Sequence, residues 1–410
     1  MSLLDRLYEE LASAEAEIIG WRQHLHRHPE VSFTERRTPA FVADKLREFG
    51  IETRTGVGWR EEHDLAQERT DSLPGGGVVG YIRGGHPGPT LALRADFDAL
   101  PIQDEKDAPY RSTAVGAMHA CGHDGHTSVL LGVARVLQAH RHELAGNIVL
   151  LFQHAEEKPP GGARFMIEDG CLEGVDEVYG IHLSSEIPLG RAGLRAGPAM
   201  AAVDAFKIKV IGKGGHGARP HDTVDALVIG SQIVGGLQQI VSRRVNPLAS
   251  AVVSIGVFRA GTAFNVIAGV AEIEGTVRTF DPALRARIEA DVRAIAEGIS
   301  TAGGASCEIE YANGYPPLVN DPDKTETALR AIAQALGEEA FIALDPVMGA
   351  EDFAYYLEQR PGAFIHVGAR NAEERTQFPH HHPHFDIDER ALLHAGKLFL
   401  ALTLAERPTA

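Results

Sequence analysis

Ten residues, Met118 to Thr127, read MHACGHDGHT and bring one thiol and three imidazoles together in a chain with only three cysteines. Such a stretch can be a metal site, a redox-active thiol or a polar turn without chemistry. Three apolar, strand-like segments elsewhere run into further candidate ligands. TLALRADFDALP reaches Asp96 and Asp98, NIVLLFQHAEE reaches Glu156 and Glu157, and EVYGIHL reaches His182. Acids and imidazoles at strand ends gather at one edge of a sheet, where open α/β sheets bind their ligands. Cys121 and His123 are two apart, so in an extended turn their side chains can converge on a cation, and a coordinating thiol loses its proton. With a carboxylate and another imidazole they would form a mixed sulfur, nitrogen and oxygen site suited to zinc or manganese. The residues alone leave blander readings open. A single cysteine is usually a small buried hydrophobe, a Glu pair a solvated helix start, and PHHHPH, ending at His384, an exposed polar loop.

The elements that must position these groups read as two kinds of pattern. LLDRLYEELASAEAEIIGWRQHLHRHPE and TPAFVADKLREFG repeat apolar residues at helical spacing, the second ending on a Gly suited to a helix C-terminus. GVVGYIRG and TLALRAD read as strands across the turn GGHPGP, and TSVLLGVARVLQAHRHEL as a helix after the Cys/His motif. This alternation predicts a three-layer α/β domain with a mostly parallel sheet. From Val203 to about Tyr311 the order becomes strand, helix, strand, strand, helix, strand, the βαββαβ pattern of a ferredoxin-like unit. The expected division is a discontinuous α/β domain, 1–193 and 314–410, interrupted by a ferredoxin-like domain, 194–313.

Composition narrows the function classes. With 410 residues the chain exceeds what one core usually organises. Asp and Glu outnumber Lys and Arg by 56 to 39, a formal charge of -17, so its field repels nucleic acid and anionic membranes. The N-terminal residues lack the basic and apolar regions of a signal peptide, and no run of about 18 apolar residues suggests a membrane span. Three widely spaced cysteines do not resemble a disulfide framework, and a cytoplasmic location is expected.

Eight ordered motifs then carry a resemblance. RADFDALP, MHACGHDGHT, FQHAEE, GIHL, GKGGHGARPH, GTVRTF, MGAEDF and HHPHFDIDE, spread from Arg94 to Glu389, resemble the amidohydrolase branch of the M20 metallopeptidases. That branch includes hippurate hydrolases, N-acyl amino acid deacylases and auxin-conjugate hydrolases, and the resemblance covers nearly the whole chain. It implies two divalent metal ions, zinc, manganese, cobalt or nickel, held by Cys121, His123, Glu157, His182 and His381. It makes Glu156 the general base and leaves Asp98 to orient a ligand. It also implies a lid and dimerisation role for the inserted domain in a homodimer or higher homo-oligomer, with His216, commonly the partner subunit's, donating to the tetrahedral oxyanion. Asn265 and Arg278 match positions that approach the substrate, and Arg suits a carboxylate. The implied reaction cleaves an N-acyl amino acid into a carboxylic acid and a free amino acid.

Three departures stand out. Trp59 to Leu73 is a charged stretch where the family has a short Gly-rich link, His154 stands where Pro is common, and Ala268 replaces the usual Pro after NVI. The competing readings are a dipeptidase or carboxypeptidase on the same centre, a non-catalytic metal- or peptide-binding protein, and a thiol hydrolase using Cys121. The last leaves Glu157, His182 and His381 without roles. Whether Asp96 or Asp124 touches metal stays open from the sequence, and His119 and His126 read as supporting rather than ligating.

Overall fold

The computed structural model describes residues 1–65 and 75–405. Most of the charged stretch expected at Trp59 to Leu73 therefore lies outside the described residues. The chain divides into two compact units: Met1–Gly197 with Val319–Asp345 and Asp352–Ala410, and Pro198–Leu318 with Pro346–Glu351.

The first unit is built on an eight-stranded sheet. In chain order its early strands are β1 (Glu52–Val57), β2 (Gly77–Arg83), β3 (His86–Asp96), β4 (Ala145–Gln153), β5 (Glu177–Pro188) and β6 (Ala192–Leu194). Across the sheet the order is β1, β2, β4, β3, β5, Gly362–Arg370, β6 and Phe341–Ala343. The four central strands, β4, β3, β5 and Gly362–Arg370, run parallel. Strands buried on both faces need continuous apolar runs, and the Leu91–Asp96 and Ile148–Gln153 segments are buried throughout. Because the strands are parallel, Asp96, Gln153 and Leu183 finish at the same edge of the sheet, and the loops that follow share one rim.

Helix α4 (His123–Ala139) starts at that rim and is buried along most of its length. It packs with α2 (Glu15–Arg27), α3 (Arg37–Glu48), α1 (Leu3–Ser13) and the C-terminal helix Arg390–Leu404. In α1 the buried residues are Leu4, Leu7 and Leu11, a stripe at the helical period. Ser2 and Asp5 close a capping box at its start. The single helical pattern read through the first segment resolves into two helices meeting at Ala14. Helix α3 ends at Gly50, whose φ of 73° is the left-handed geometry a helix stop requires. Strand β3 begins at His86, inside the segment expected to be a turn, because the His86 amide donates to the Leu144 carbonyl at 3.0 Å.

The second unit is a four-stranded antiparallel sheet in the order Ala251–Ala260, Val270–Thr279, Ala202–Ile211, Ser306–Asn313. Its helices Ala226–Gln239 and Pro282–Ala302 are capped by Asp225 and Asp281, each accepting two backbone amides. Strand, helix, strand, strand, helix, strand is the element order of a ferredoxin-like fold. Pro346–Glu351 joins this unit because the Ala201 amide donates to the carbonyls of Val347 and Gly349.

Candidate metal centre

The Cys/His motif turns on Gly122, whose φ of 91° lets the chain pass from Cys121 into α4 within one residue. His123 is the first residue of that helix and Cys121 precedes it, so both face the rim. The His123 Nδ1–H donates to the Asp98 carbonyl at 2.9 Å, with Asp98 Oδ1 at 3.3 Å, which turns Nε2 towards the rim. On β5, His182 donates Nδ1–H to the Leu183 carbonyl at 2.8 Å, and its Nε2 lies 3.4 Å from Cys121 Sγ. The Glu157 amide donates to Asp98 Oδ2 at 2.9 Å, and Glu157 Oε1 lies 3.8 Å from His123 Nε2. His381 enters from the loop after Gly362–Arg370 with a left-handed φ of 64°. Its amide donates to the Ala120 carbonyl at 2.8 Å, and its Nε2 lies 3.3 Å from Glu157 Oε1.

All five expected ligands are thus brought to one rim. Their donor atoms form two overlapping sets that share the Cys121 sulfur, Cys121/His123/His182 and Cys121/Glu157/His381, each within 4.8 Å. Glu156 joins His123 and Glu157 in a third set of the same span.

Two observations test whether this cluster fits cations. His123 Nε2 and Glu157 Oε1 are buried, and among the described residues neither makes a well-formed hydrogen bond, the His381 Nε2 contact with Glu157 being an ion-pair approach at 3.3 Å. Buried polar atoms left unmatched are costly, and a cation between them would satisfy both. The electrostatics agree. Burial works against a charged ring, yet Asp96, Asp98 and Glu157 outweigh it and push His123 up to about 10. Burial, with Glu157 and Glu156, pushes the Cys121 thiol well above its usual value. The protein alone therefore carries an excess of negative charge here that divalent cations would balance, and a thiolate, imidazoles and a carboxylate are the donors such ions take.

Asp96 and Asp124 are otherwise engaged. Arg94 donates to Asp96 at 2.5 Å and His126 Nδ1 donates to it at 2.6 Å. His126 Nε2 in turn accepts the Leu183 amide at 2.9 Å, so His126 has no nitrogen left for a metal. Asp124 accepts from Arg22 at 2.9 Å and from His26 at 2.7 Å, a buried pairing directed at the helices rather than the rim. His119 is buried with both ring nitrogens unpartnered among the described residues. Burial pulls it down to about 3, so it is a neutral ring.

His380 is a site residue that motif reading passed over. Its Nε2 accepts the Ser185 amide at 3.3 Å, which puts the proton on Nδ1, 3.7 Å from Cys121 Sγ. It is therefore placed to donate to a thiolate rather than to bind metal. Its signal was present in the run His380 to His382, but the run alone cannot say which ring turns inward.

In the second unit, His216 pairs in register with Val266, and the Gly217 amide donates to the Asn265 carbonyl at 2.8 Å, so His216 and Asn265 share one ribbon. Both are exposed. The ribbon follows Ile211, which is paired with Val270, whereas Arg278 is paired with Val203 at the opposite end of the same strands. Eight residues of strand separate the two ends, about 25 Å. Arg278 is partly buried and donates to Thr276 and to the Val277 carbonyl. The structure does not bring Arg278 together with His216 and Asn265 within one chain.

Residues 92–405 match the profile of peptidase family M20/M25/M40. The chain is 49% identical to the YhaA protein of Bacillus subtilis (strain 168) over 397 residues, 97% of this chain and 96% of that one. It is 45% identical to an N-acyl-L-amino acid amidohydrolase of Geobacillus stearothermophilus over 333 residues, 80% of this chain and 85% of that one. The crystal structure of a dinuclear metal-binding peptidase of the M20 family from Bacillus subtilis superposes with a TM-score of 0.78 at 37% identity, covering 96% of this chain and 98% of that one.

Proposed function

The chain belongs to peptidase family M20/M25/M40, and from that premise we propose how its residues divide the work. It is a metal-dependent amidohydrolase that cleaves N-acyl amino acids into a carboxylic acid and a free amino acid. The observation that carries the assignment of its centre is the convergence of buried donor atoms that lack a well-formed hydrogen bond, His123 Nε2 and Glu157 Oε1, inside a cluster of thiol, imidazole and carboxylate groups.

Cys121, His123, Glu157, His182 and His381 hold two divalent ions, zinc, manganese, cobalt or nickel. When bound, such a pair polarises an amide carbonyl and lowers the pKa of water. Glu156, beside the ligand Glu157, takes a proton from the attacking water and delivers it to the amide nitrogen as the C–N bond breaks. The water oxygen stays with the acyl carbon, so the products are the acid and the amine. Asp98 fixes His123 through its carbonyl and carboxylate and Glu157 through its amide, which holds both in the geometry that binding requires. His380 steadies the Cys121 thiolate with a hydrogen bond.

His216 donates to the tetrahedral oxyanion, with Asn265 beside it, and Arg278 pairs with the substrate carboxylate. An N-acyl amino acid holds its amide and carboxylate a few bonds apart, whereas the two ends of the second unit's sheet are about 25 Å apart. That separation favours a homodimer in which His216 and Asn265 serve the partner's centre. Exposed apolar side chains on the second unit, Leu227, Val228, Phe258 and Val266 among them, offer a surface for the second copy. We place the enzyme in the cytoplasm, which agrees with three unpaired cysteines; no helix among the described residues is long and apolar enough to cross a membrane.

The test is turnover of N-acetyl, N-benzoyl and N-aminoacyl forms of one amino acid by protein reconstituted with each of the four metals. Preference for the simple acyl forms supports the deacylase reading. Preference for the N-aminoacyl form favours a dipeptidase on the same centre. Failure on the whole panel overturns both.

A further inference from the structure

Glu156 and Glu157 follow a residue in an unfavourable conformation. Ala155 has a φ of 50°, the left-handed region that side chains other than glycine rarely adopt. Such a residue persists only when its surroundings over-determine it. Two hydrogen bonds do so here: the Ala155 amide donates to Glu35 Oε1 at 2.8 Å, and its carbonyl accepts the Gly162 amide at 3.0 Å. On the other side of Glu156, the Glu157 amide donates to Asp98. Two buried carboxylates therefore grip the backbone on either side of the proposed base.

One loop supplies the Glu35 side of this grip and braces the Asp98 side. Between α2 and α3, the Glu30 carboxylate accepts the amides of Arg36, Arg37 and Thr38 at 3.1, 3.1 and 2.8 Å, which pins the loop to the start of α3. The Ser32 hydroxyl donates to Asp98 Oδ2 at 2.7 Å, and the Glu35 side chain reaches Ala155. Glu35 is almost fully buried. Burial, with the charge on Asp98, pushes its carboxyl well above the usual range. A buried acid beside another acid is costly to keep, and what it contacts is the one strained peptide that leads into the catalytic pair.

We propose that Glu35 is a positioning residue for hydrolysis: by accepting the Ala155 amide it holds the left-handed turn that aims Glu156 at the water and Glu157 at the metals. This rests on the assignment of Glu156 as base and Glu157 as ligand. Without the Glu35 acceptor, Ala155 relaxes towards ordinary backbone angles and both carboxylates swing from their places.

The experiment compares Glu35→Ala, Glu35→Gln and the double variant Glu35→Ala/Ala155→Gly, with thermal melts to establish folding and Glu156→Gln as control. Glu35→Ala is expected to lower kcat by about 10- to 100-fold with KM little changed, and to weaken zinc binding to the apo protein in calorimetry by a similar factor. Glu35→Gln keeps an oxygen for the amide and should stay within about threefold of wild type. Glycine adopts the left-handed turn without a clamp, so the double variant should regain at least about threefold in kcat over Glu35→Ala. A folded Glu35→Ala protein with wild-type kcat and zinc affinity overturns the proposal, as does a Glu35→Gln protein as impaired as Glu35→Ala, or a double variant with no recovery. If Glu156→Gln is fully active, the underlying assignment has failed instead.

Discussion

His123 and Asp98 are joined twice: the imidazole Nδ1–H meets both the backbone carbonyl of Asp98 at 2.9 Å and its carboxylate at 3.3 Å. One residue thereby sets which nitrogen of the ring carries the proton and where the other nitrogen points. The same carboxylate holds the Glu157 amide at 2.9 Å, so two proposed ligands from different loops are referenced to a single acid.

Asp98→Ala is therefore expected to weaken zinc binding by about 10- to 100-fold, the usual cost of losing a partner behind a metal ligand. Calorimetric titration of the apo protein measures it. An unchanged isotherm would show that the two ligands are oriented by their backbone alone.

Glu156→Gln should retain its metals and lose about 10²- to 10⁴-fold in kcat, since the side chain keeps its shape but cannot accept a proton. Metal content by emission spectroscopy, measured beside turnover, separates a chemical defect from a binding one.

Exhaustive chelation is expected to abolish activity, to lower the melting temperature, and to expose Cys121 to alkylation that metal blocks. Refilling is expected to return two ions per chain. Activity that survives chelation but is lost on alkylation would transfer the chemistry to the thiol.

Mixing Glu156→Gln protein with His216→Ala protein, each inactive alone, tests whether the histidine acts across a dimer. Half of randomly mixed dimers are hybrids and each hybrid holds one complete site, so about a quarter of wild-type activity should return. No recovery would place His216 in the site of its own chain.

Stability should fall on mild acidification. His154 is buried, with Nδ1 unpartnered among the described residues, and burial lowers it from 6.5 to about 4. Between those values the unfolded chain binds a proton that the folded one refuses. Stability present above the unfolded pKa is thus lost as pH drops towards 4, by up to about 1.4 kcal/mol per pH unit. His154→Phe removes that term, so its urea midpoint should change less between pH 7 and pH 5 than that of wild type.

The candidate centre was legible in the sequence chiefly through the resemblance that eight ordered motifs carry, since the residues of MHACGHDGHT alone left a metal site, a redox thiol and a polar turn open. Spacing alone marked Cys121 and His123 as near neighbours and placed Asp98, Glu157 and His182 at strand ends, whereas the choice of Glu157 and His381 as ligands and Glu156 as base came from the resemblance. His380 and Glu35 were not legible in this way. A run of three histidines does not reveal which one donates to a thiolate, since that depends on the Ser185 amide meeting the Nε2 of His380. Nor does TERRT say that its glutamate crosses to the amide of Ala155, 120 residues away.

By itself, then, the sequence determined the α/β class and the interrupting βαββαβ pattern, because periodicity is local, while its ordered motifs nominated residues to hold cations and move a proton through a family resemblance. Only the tertiary structure decided which atoms face one another. Parallel strands brought Asp96, Gln153 and Leu183 to one rim, Asp124 was drawn away to Arg22 and His26, and Arg278 was placed at the far end of its sheet from His216. Those outcomes depend on register, tautomer and the pairing of buried charges, which are set by contacts between segments remote in sequence and are absent from any local pattern of residues.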